Sequence, residues 1–354
     1  MVVRTIALVL FVFSAGSALS QPTVSGVSGS LENGGQISIS GSLFGPNGPD
    51  VVLFDDFESG TVGSPIKTGA GSAEFGQWNG ELGNTVYSDA ASVSGSQAFR
   101  ADMSEHWLNY AEVSLPSNTR DVFISWWLYL PAGDKIPGEG SSTGTNWKQM
   151  WIQGSDTADD DVVVPTLLSQ SWYINGNDSP YRAYPGVPYL VKGQWKHFAC
   201  WIKGGYNNDG EAKFWHLGHT GNLDLFVDET SVTTMYANGT REKVRLNGFG
   251  RTTSNSHPMF DDMYVASGAN AQARVEIGNN RNYYDCTNIA VAVPTDWSAS
   301  YINATLYTGS FYAGSAFLFV VDANGDVSEG FPIELGGIVE PESPGMPGQP
   351  KRNS

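Results

Sequence analysis

Asp121-Val-Phe-Ile-Ser-Trp-Trp-Leu-Tyr-Leu130 reads as a β-strand. Successive strand side chains point to opposite faces, so Val122, Ile124, Trp126, Leu128 and Leu130 form one uniformly apolar, core-facing set. The other set, Phe123, Ser125, Trp127 and Tyr129, mixes aromatic and polar groups. Residues 195–203 divide in the same way, with Phe198, Cys200 and Ile202 on the core side and Trp195, His197, Trp201 and Lys203 opposite. In residues 146–153 the two sets are Lys148, Met150, Ile152 and Trp147, Gln149, Trp151, Gln153. Short alternating runs of this kind recur, bounded by Gly, Asn, Asp, Ser and Pro. The chain holds 42 glycines and 18 prolines and shows no long amphipathic helical pattern. That combination predicts an all-β, antiparallel sandwich protein.

Charge narrows the partners. A formal net charge of −17 argues against nucleic acid and anionic membrane surfaces, which both need a basic face. The acidic surplus suits calcium, which takes carboxylate oxygens. Residues 1–20 carry Arg4, a short apolar run and then small residues, with Ala18 and Ser20 placed for cleavage. They read as a secretory signal peptide, too short in its apolar core for a membrane span. The expected location is therefore extracellular, secreted or on a cell surface. Cys200 lies among apolar strand residues and Cys286 follows a polar loop, so the two are not expected to pair.

Three motifs extend the reading beyond composition. Residues 22–45, PTVSGVSGSLENGGQISISGSLFG, hold two short strands around a glycine turn. ARVEIG at 273–278, NIAVAVP at 288–294, TDWSASYINATLYTG and GSAFLFVVDANGDVSEGFPIEL follow much later. In that order these segments resemble an IPT/TIG domain, a small immunoglobulin-like sandwich. Between them stand Phe54-Asp-Asp-Phe-Glu-Ser-Gly60, Lys192-Gly-Gln-Trp-Lys-His-Phe-Ala-Cys-Trp-Ile-Lys203 and Phe260-Asp-Asp-Met-Tyr-Val-Ala266. These resemble the concanavalin A-like lectin/glucanase superfamily, which includes laminin G-like modules, carbohydrate-binding modules and polysaccharide lyases. The two resemblances together imply a jelly-roll β-sandwich over 50–270, inserted into an immunoglobulin-like sandwich made of 22–48 and 271–337. A disordered tail over 338–354 is expected from its Pro- and Gly-rich composition.

A sugar ring offers a C–H face for aromatic stacking and an edge of hydroxyls for hydrogen bonds. Trp127, Gln149, Trp151, His197 and Trp201 fit that need if they line one concave sheet, so a polysaccharide or glycan is the expected partner. The lyase resemblance implies an alternative, β-elimination on a uronic-acid polymer. Arg100 and Gln149 would neutralise the carboxylate, a histidine or tyrosine (His197, or one of the tyrosines) would take the proton, and Tyr184 (or Tyr173 or Tyr181) would protonate the leaving oxygen. The sharper alginate-lyase strand motifs are absent, FRADM and KQMWI standing nearest. A glycosidase is disfavoured, since the acidic runs 159–161 and 228–229 lack strand-embedded acid pairs. A structural spacer or adhesin of a surface assembly is a further alternative. His216 and His219 flank Gly218 and read as surface turn histidines rather than zinc ligands. Finally, the superfamily resemblance implies a structural calcium ion where the inserted domain's first and last strands meet, held by Asp56, Glu58 and Asp262.

Overall fold

The computed structural model describes residues 21–137, 146–154, 162–168, 171–176, 179–184, 191–217, 221–235, 239–249 and 253–336, with the backbone pairing alone over 162–184. The expected leader and tail lie outside the described residues. The chain start gives β1 (Thr23–Gly29) and β2 (Gly35–Ser42). The middle portion gives β3 (Asp50–Asp55), β4 (Phe75–Gly76), β5 (Gly80–Leu82), β6 (Thr85–Ser88), β7 (Ala98–Ala101), β8 (Tyr110–Ser114), β9 (Val122–Tyr129) and β10 (Asn146–Gly154). It continues with β11 (Val162–Leu168), β12 (Ser171–Gly176), β13 (Ser179–Tyr184), β14 (Lys196–Lys203), β15 (Gly210–Leu217), β16 (Leu223–Val232), β17 (Arg241–Phe249) and β18 (Met259–Ser267). The remaining strands are β19 (Arg274–Gly278), β20 (Ile289–Trp297), β21 (Tyr301–Leu306), β22 (Gly314–Val321) and β23 (Phe331–Leu335).

The protein is all-β, and its sheets are antiparallel. A terminal sheet has the order β1-β2-β21-β20-β19-β22-β23, so strands from both chain ends share it. An outer sheet runs β13-β12-β11-β10-β17-β8-β5, and a middle sheet runs β16-β15-β14-β9-β18-β3-β4 with β7 and β6 alongside β18. Among the described residues no helix is long and apolar enough to cross a membrane.

Three cores hold these sheets in register. The first lies between outer and middle sheets, where Ala111, Val113, Trp147, Met150 and Leu246 meet Ile124, Trp126, Leu128, Phe198 and Phe260. The second lies between middle and terminal sheets, joining Phe123, Trp127, Trp201, Trp215 and Tyr264 to Tyr283, Ile289, Val291, Val293 and Phe319. The third fills the curl of the terminal sheet itself, around Ile37, Ile39, Val275, Ala292, Ile302 and Leu318. The middle sheet is thus covered on both faces, and β18 is buried at all nine positions. Cys200 belongs to the first core and Cys286 to the second, and both thiols are free.

One charged group crosses the second core. Arg274 is 2% exposed and its Nε lies 3.0 Å from Oε1 of Glu276, itself 1% exposed. Its other nitrogens donate to the Gln272 carbonyl at 2.9 Å and the Tyr283 hydroxyl at 2.8 Å, and that hydroxyl donates to Glu276 at 2.6 Å. The guanidinium lies over the Phe123 ring at 4.6 Å and near Trp215 at 5.4 Å. Removing one partner of such a pair strands a buried charge. Arg274→Met should therefore cost about 3–5 kcal/mol, while Arg274→Met with Glu276→Leu should recover most of it. Urea unfolding of the two variants against wild type checks this.

Candidate functional site

The structure does not assemble the aromatic face expected from alternation. Trp127, His197 and Trp201 sit on the middle sheet but are only 7%, 3% and 6% exposed. They point at the terminal sheet, which covers that face with β19, β20 and β22. Trp127 packs against the His197 ring at 5.3 Å. Gln149 and Trp151 lie elsewhere, on the outer sheet. The lyase set is likewise separated. Arg100 is on β7, half-buried; Gln149 is on β10, fully buried; the backbone of Tyr184 ends β13. His197 points away from the first core, so the thickness of the middle sheet stands between it and the outer sheet. Burial first, then Arg274, pulls the His197 imidazole down to about 3, which removes it as a base near neutral pH. His216 is a buried strand residue packed on Phe226 at 4.8 Å, not a surface turn histidine, and His219 lies outside the described residues. His257 binds Asp134 at 2.9 Å and lies 3.5 Å from Asp102.

A different face of the molecule gathers polar and aromatic side chains. Between Lys148↔Phe249 and Met150↔Leu246 one β10 residue, Gln149, stands opposite two of β17, Asn247 and Gly248, so β17 carries the extra residue of a bulge while β10 keeps its register with β11. Asn247 opposite it has φ 58°, the left-handed region. The bulge reverses the alternation: Trp147, Met150 and Ile152 all face the first core, and Lys148 and Trp151 turn outward half-buried. The alternation expected from sequence, with Trp147, Gln149 and Trp151 on one face, fails for this reason. The Gln149 amide is left buried with no partner for either polar atom among the described residues.

Beside β10, Lys243 and Arg245 of β17 and Tyr110 and Glu112 of β8 turn outward, while Val244, Leu246, Ala111 and Val113 face the core. Register aligns Trp151, Arg245 and Glu112 in one row across the three strands. Arg245 Nε is 2.7 Å from Glu112, with Lys243 on the other oxygen at 3.5 Å. The Arg245 guanidinium lies 4.2 Å over the Tyr110 ring and 5.4 Å from Trp151, and the Lys148 ammonium is 4.3 Å over Trp151. A Cβ at Gly248 would meet Trp151 at 3.0 Å, so glycine there lets the indole lie close to the backbone. Lys148, Lys243 and Arg245 thus gather on one short stretch of a chain whose net charge is −17, with Glu112 between the last two. The Lys148 row continues by backbone pairing to Thr166 and Tyr173. Sequence reading passed over Tyr110, Glu112, Lys243 and Arg245. For the two cations the signal was the alternation of KVRL at 243–246, basic on one side and apolar on the other.

A second cluster is acidic. The carboxylates of Asp55, Asp56 and Glu74 lie within 4.8 Å of one another. Burial first, then neighbouring acids including Glu74, pushes the Asp56 carboxyl up to about 8. Burial likewise raises Asp55 to about 8 and Asp262 to about 6. One Asp262 oxygen accepts from Ser94 at 2.7 Å, while its Oδ2 is buried with no partner among the described residues. Asp56 and Phe57 are followed by Glu58, which turns away: its oxygens accept from Ser96 N, Ser96 Oγ and Gln97 N at 2.6–2.9 Å. Glu58 is therefore occupied with capping a turn, and Glu74, which sequence reading missed, stands with the aspartates instead. The oxygen set of Asp55, Asp56 and Glu74, with the orphaned Asp262 Oδ2 on a neighbouring aspartate outside it, has the chemistry that suits a hard divalent cation such as calcium.

The sequence matches no protein-family model and no curated protein. Solved structures with a similar overall arrangement include an endo-β-1,4-glucuronan lyase from the fungus Trichoderma reesei, at 12% identity and a TM-score of 0.42, spanning 55% of this chain and 92% of that one. Alginate lyase Aly36B gives 14% identity and 0.43, spanning 62% and 97%. The CBM22-1 xylan-binding domain of Paenibacillus barcinonensis Xyn10C gives 13% and 0.30, spanning 62% and 96%. At such identities and scores the functions of those proteins do not transfer; this chain's own side chains have to carry an assignment.

The depressed imidazole of His197 has a measurable consequence. Its folded pKa of about 3 lies below the unfolded 6.5, so the unfolded chain binds the proton more tightly. The stability it contributes is present above pH 6.5 and is lost as pH falls toward 3. Thermal melts across that window should show His197→Phe losing less stability on acidification than wild type. Parallel curves would refute the buried neutral state.

Proposed function

We propose that this is an exported polysaccharide-binding protein that holds an acidic glycan on the outer face of β10, β17 and β8. The observation that supports it most is the grouping of Lys148, Lys243 and Arg245 with Trp151 and Tyr110 in a strongly acidic chain. A polyanion is repelled by the molecule as a whole, so a local cationic face has to be built to hold one. Arginine suits a carboxylate because its planar fork donates two parallel hydrogen bonds, and aromatic rings beside it suit the C–H face of a sugar. Binding is preferred to β-elimination because His197, the imidazole assigned as base in the lyase alternative, faces the terminal sheet and stays neutral. Export rests on the leader-like residues 1–20.

A structural calcium ion belongs to the same proposal. Asp55, Asp56, Glu74 and Asp262 would hold it; bound, it would supply the charge compensation that these carboxylates lack. Asp56 and Asp262 remain from the set expected on sequence, and Glu74 takes the place of Glu58.

Two outcomes are expected. Arg245→Ala and Trp151→Ala should each weaken binding to alginate or polygalacturonate by about 1–3 kcal/mol with the fold intact, and binding should fall as salt rises. Isothermal titration and a melting curve check this; acidic-polymer binding that is unchanged in both variants, or that does not fall with salt, would sink the acidic-glycan reading. Chelator should lower the melting temperature by several degrees and calcium should restore it, because a ligand bound only by the folded state stabilises by mass action. Glu74→Gln should blunt that response, and a melt indifferent to chelator, with no calcium in elemental analysis, would remove the ion.

A further inference from the structure

At one end of the terminal sheet two loops, 279–288 after β19 and 322–330 after β22, enclose a cleft of about 680 Å³. That is the size range of small-ligand sites. Its wall carries the amides of Gln21, Asn280 and Asn282, the carboxylates of Asp326 and Glu329, and the Tyr284 ring.

Both loops are fixed by their own hydrogen bonds. Asn282 caps the short 3-10 turn at Tyr283–Asp285, and its Nδ2 donates to Asp285 at 2.7 Å. Asn279 Oδ1 accepts from the backbone of Thr287 and Asn288 at 2.9 and 3.2 Å. Asp322 accepts from the backbone of Asn324 and Asp326 at 2.8 and 3.0 Å. The loops are tied to each other by Gly330 N donating to the Arg281 carbonyl at 3.2 Å and by the Arg281–Glu329 ion pair at 3.3 Å. A site already in its bound shape loses little entropy on binding.

Tyr284 is the distinctive feature. It is 46% exposed, and its ring meets that of Tyr283 edge-on at 5.3 Å and 80°. Tyr283 is in turn pinned by the Arg274–Glu276 network. The cleft therefore presents an exposed aromatic ring on a rigid support, ringed by groups that both donate and accept hydrogen bonds. Arg281 is matched by Glu329 and Asp326 adds a further negative charge, so the wall disfavours an anion.

We infer that this cleft is a second glycan subsite, for a neutral sugar, independent of the cationic face on the outer sheet. Tyr284 stacks on the C–H face of one residue, and Asn280, Asn282 and Asp326 take its hydroxyls. Titrating the full chain with neutral xylo-, cello- and manno-hexaose by isothermal calorimetry tests it. At least one should bind, Tyr284→Ala should weaken that binding at least about tenfold, and Arg245→Ala should leave it unchanged. Asn280→Ala, on an exposed loop side chain, should weaken it too, which guards against a Tyr284 variant that misfolds. Acidic-polymer binding should survive Tyr284→Ala, so failure of either site is read separately. No binding of any neutral hexaose at millimolar concentration, or equal binding by well-folded Tyr284→Ala, would overturn the inference.

Discussion

Everything in this molecule is arranged around a middle sheet that is denied water on both faces. β9, β14 and β18 each pack one set of side chains against the outer sheet and the other set against the terminal sheet. Burying a large side chain is worth about 1.5–3 kcal/mol, so Trp127, Trp201, Trp215 and Phe123 together make the seam with the terminal sheet a major source of stability. The same seam traps polar atoms. Ser125 Oγ, Trp201 Nε1, Tyr264 OH and His197 Nδ1 are buried there with no partner among the described residues. Hydrogen-bonding capacity that looks functional in sequence is, at these positions, a cost of covering the sheet. Any glycan has to be met elsewhere.

The all-β class was legible because period-2 runs and turn residues dominate the chain, and the segments 121–130, 146–153 and 195–203 coincide with β9, β10 and β14 to within a residue at each end. What misled was the meaning of an unbroken apolar run. In 121–130 both alternating sets are rich in large apolar groups, and such a run marks a strand covered twice rather than one half-exposed. Reading Trp127 and Trp201 as exposed treated their aromatic character as functional when it was filling a second core. The error at 146–153 was different in kind. The bulge opposite Gln149 belongs to β17, at Asn247-Gly248, so the break in β10's alternation is set by its partner strand and nothing in KQMWIQ announces it. Trp151 was expected to be outward and is outward, but with Lys148 rather than Gln149 beside it. Glu74 was invisible for a third reason: it reaches Asp55 and Asp56 from a loop 18 residues along the chain, a proximity only folding creates.

Charge is segregated rather than merely abundant. The acidic surplus is spread over loops and concentrated in the Asp55–Asp56–Glu74–Asp262 cluster, while three of the 19 lysines and arginines converge on one short stretch of outer sheet. On the proposed reading, a long-range field that repels polyanions, combined with a short-range cationic patch, would favour ligands that place charge and sugar ring together on Trp151 and Tyr110. Screening by salt weakens both terms, but the patch lies partly buried, Arg245 being 15% exposed, and loses less. Specificity then comes from the contrast between field and patch more than from the patch alone.

The acidic cluster's position gives it a role that charge counting misses. Phe54, the residue before Asp55, stacks on Tyr307 of the terminal unit at 4.1 Å. The Tyr307 phenol is pushed up to about 12 by burial first and then by Glu74 and Asp56. Asp262 Oδ2 would touch a Cβ at Gly309, on the same terminal segment, at 3.1 Å. The carboxylates therefore stand beside the seam between middle and terminal sheets, at the Asp55–Met263 end of the β3–β18 pair and away from the Asp50–Ser267 end where the chain passes from one sheet to the other. With burial pushing Asp55 and Asp56 up to about 8, both stay mainly protonated near neutral pH, and only their ionisation above that would strain the seam that fixes the middle sheet on which the outer sheet rests. Cation binding there would act on the geometry of the glycan face through two packed cores, by stiffening its support rather than by touching it.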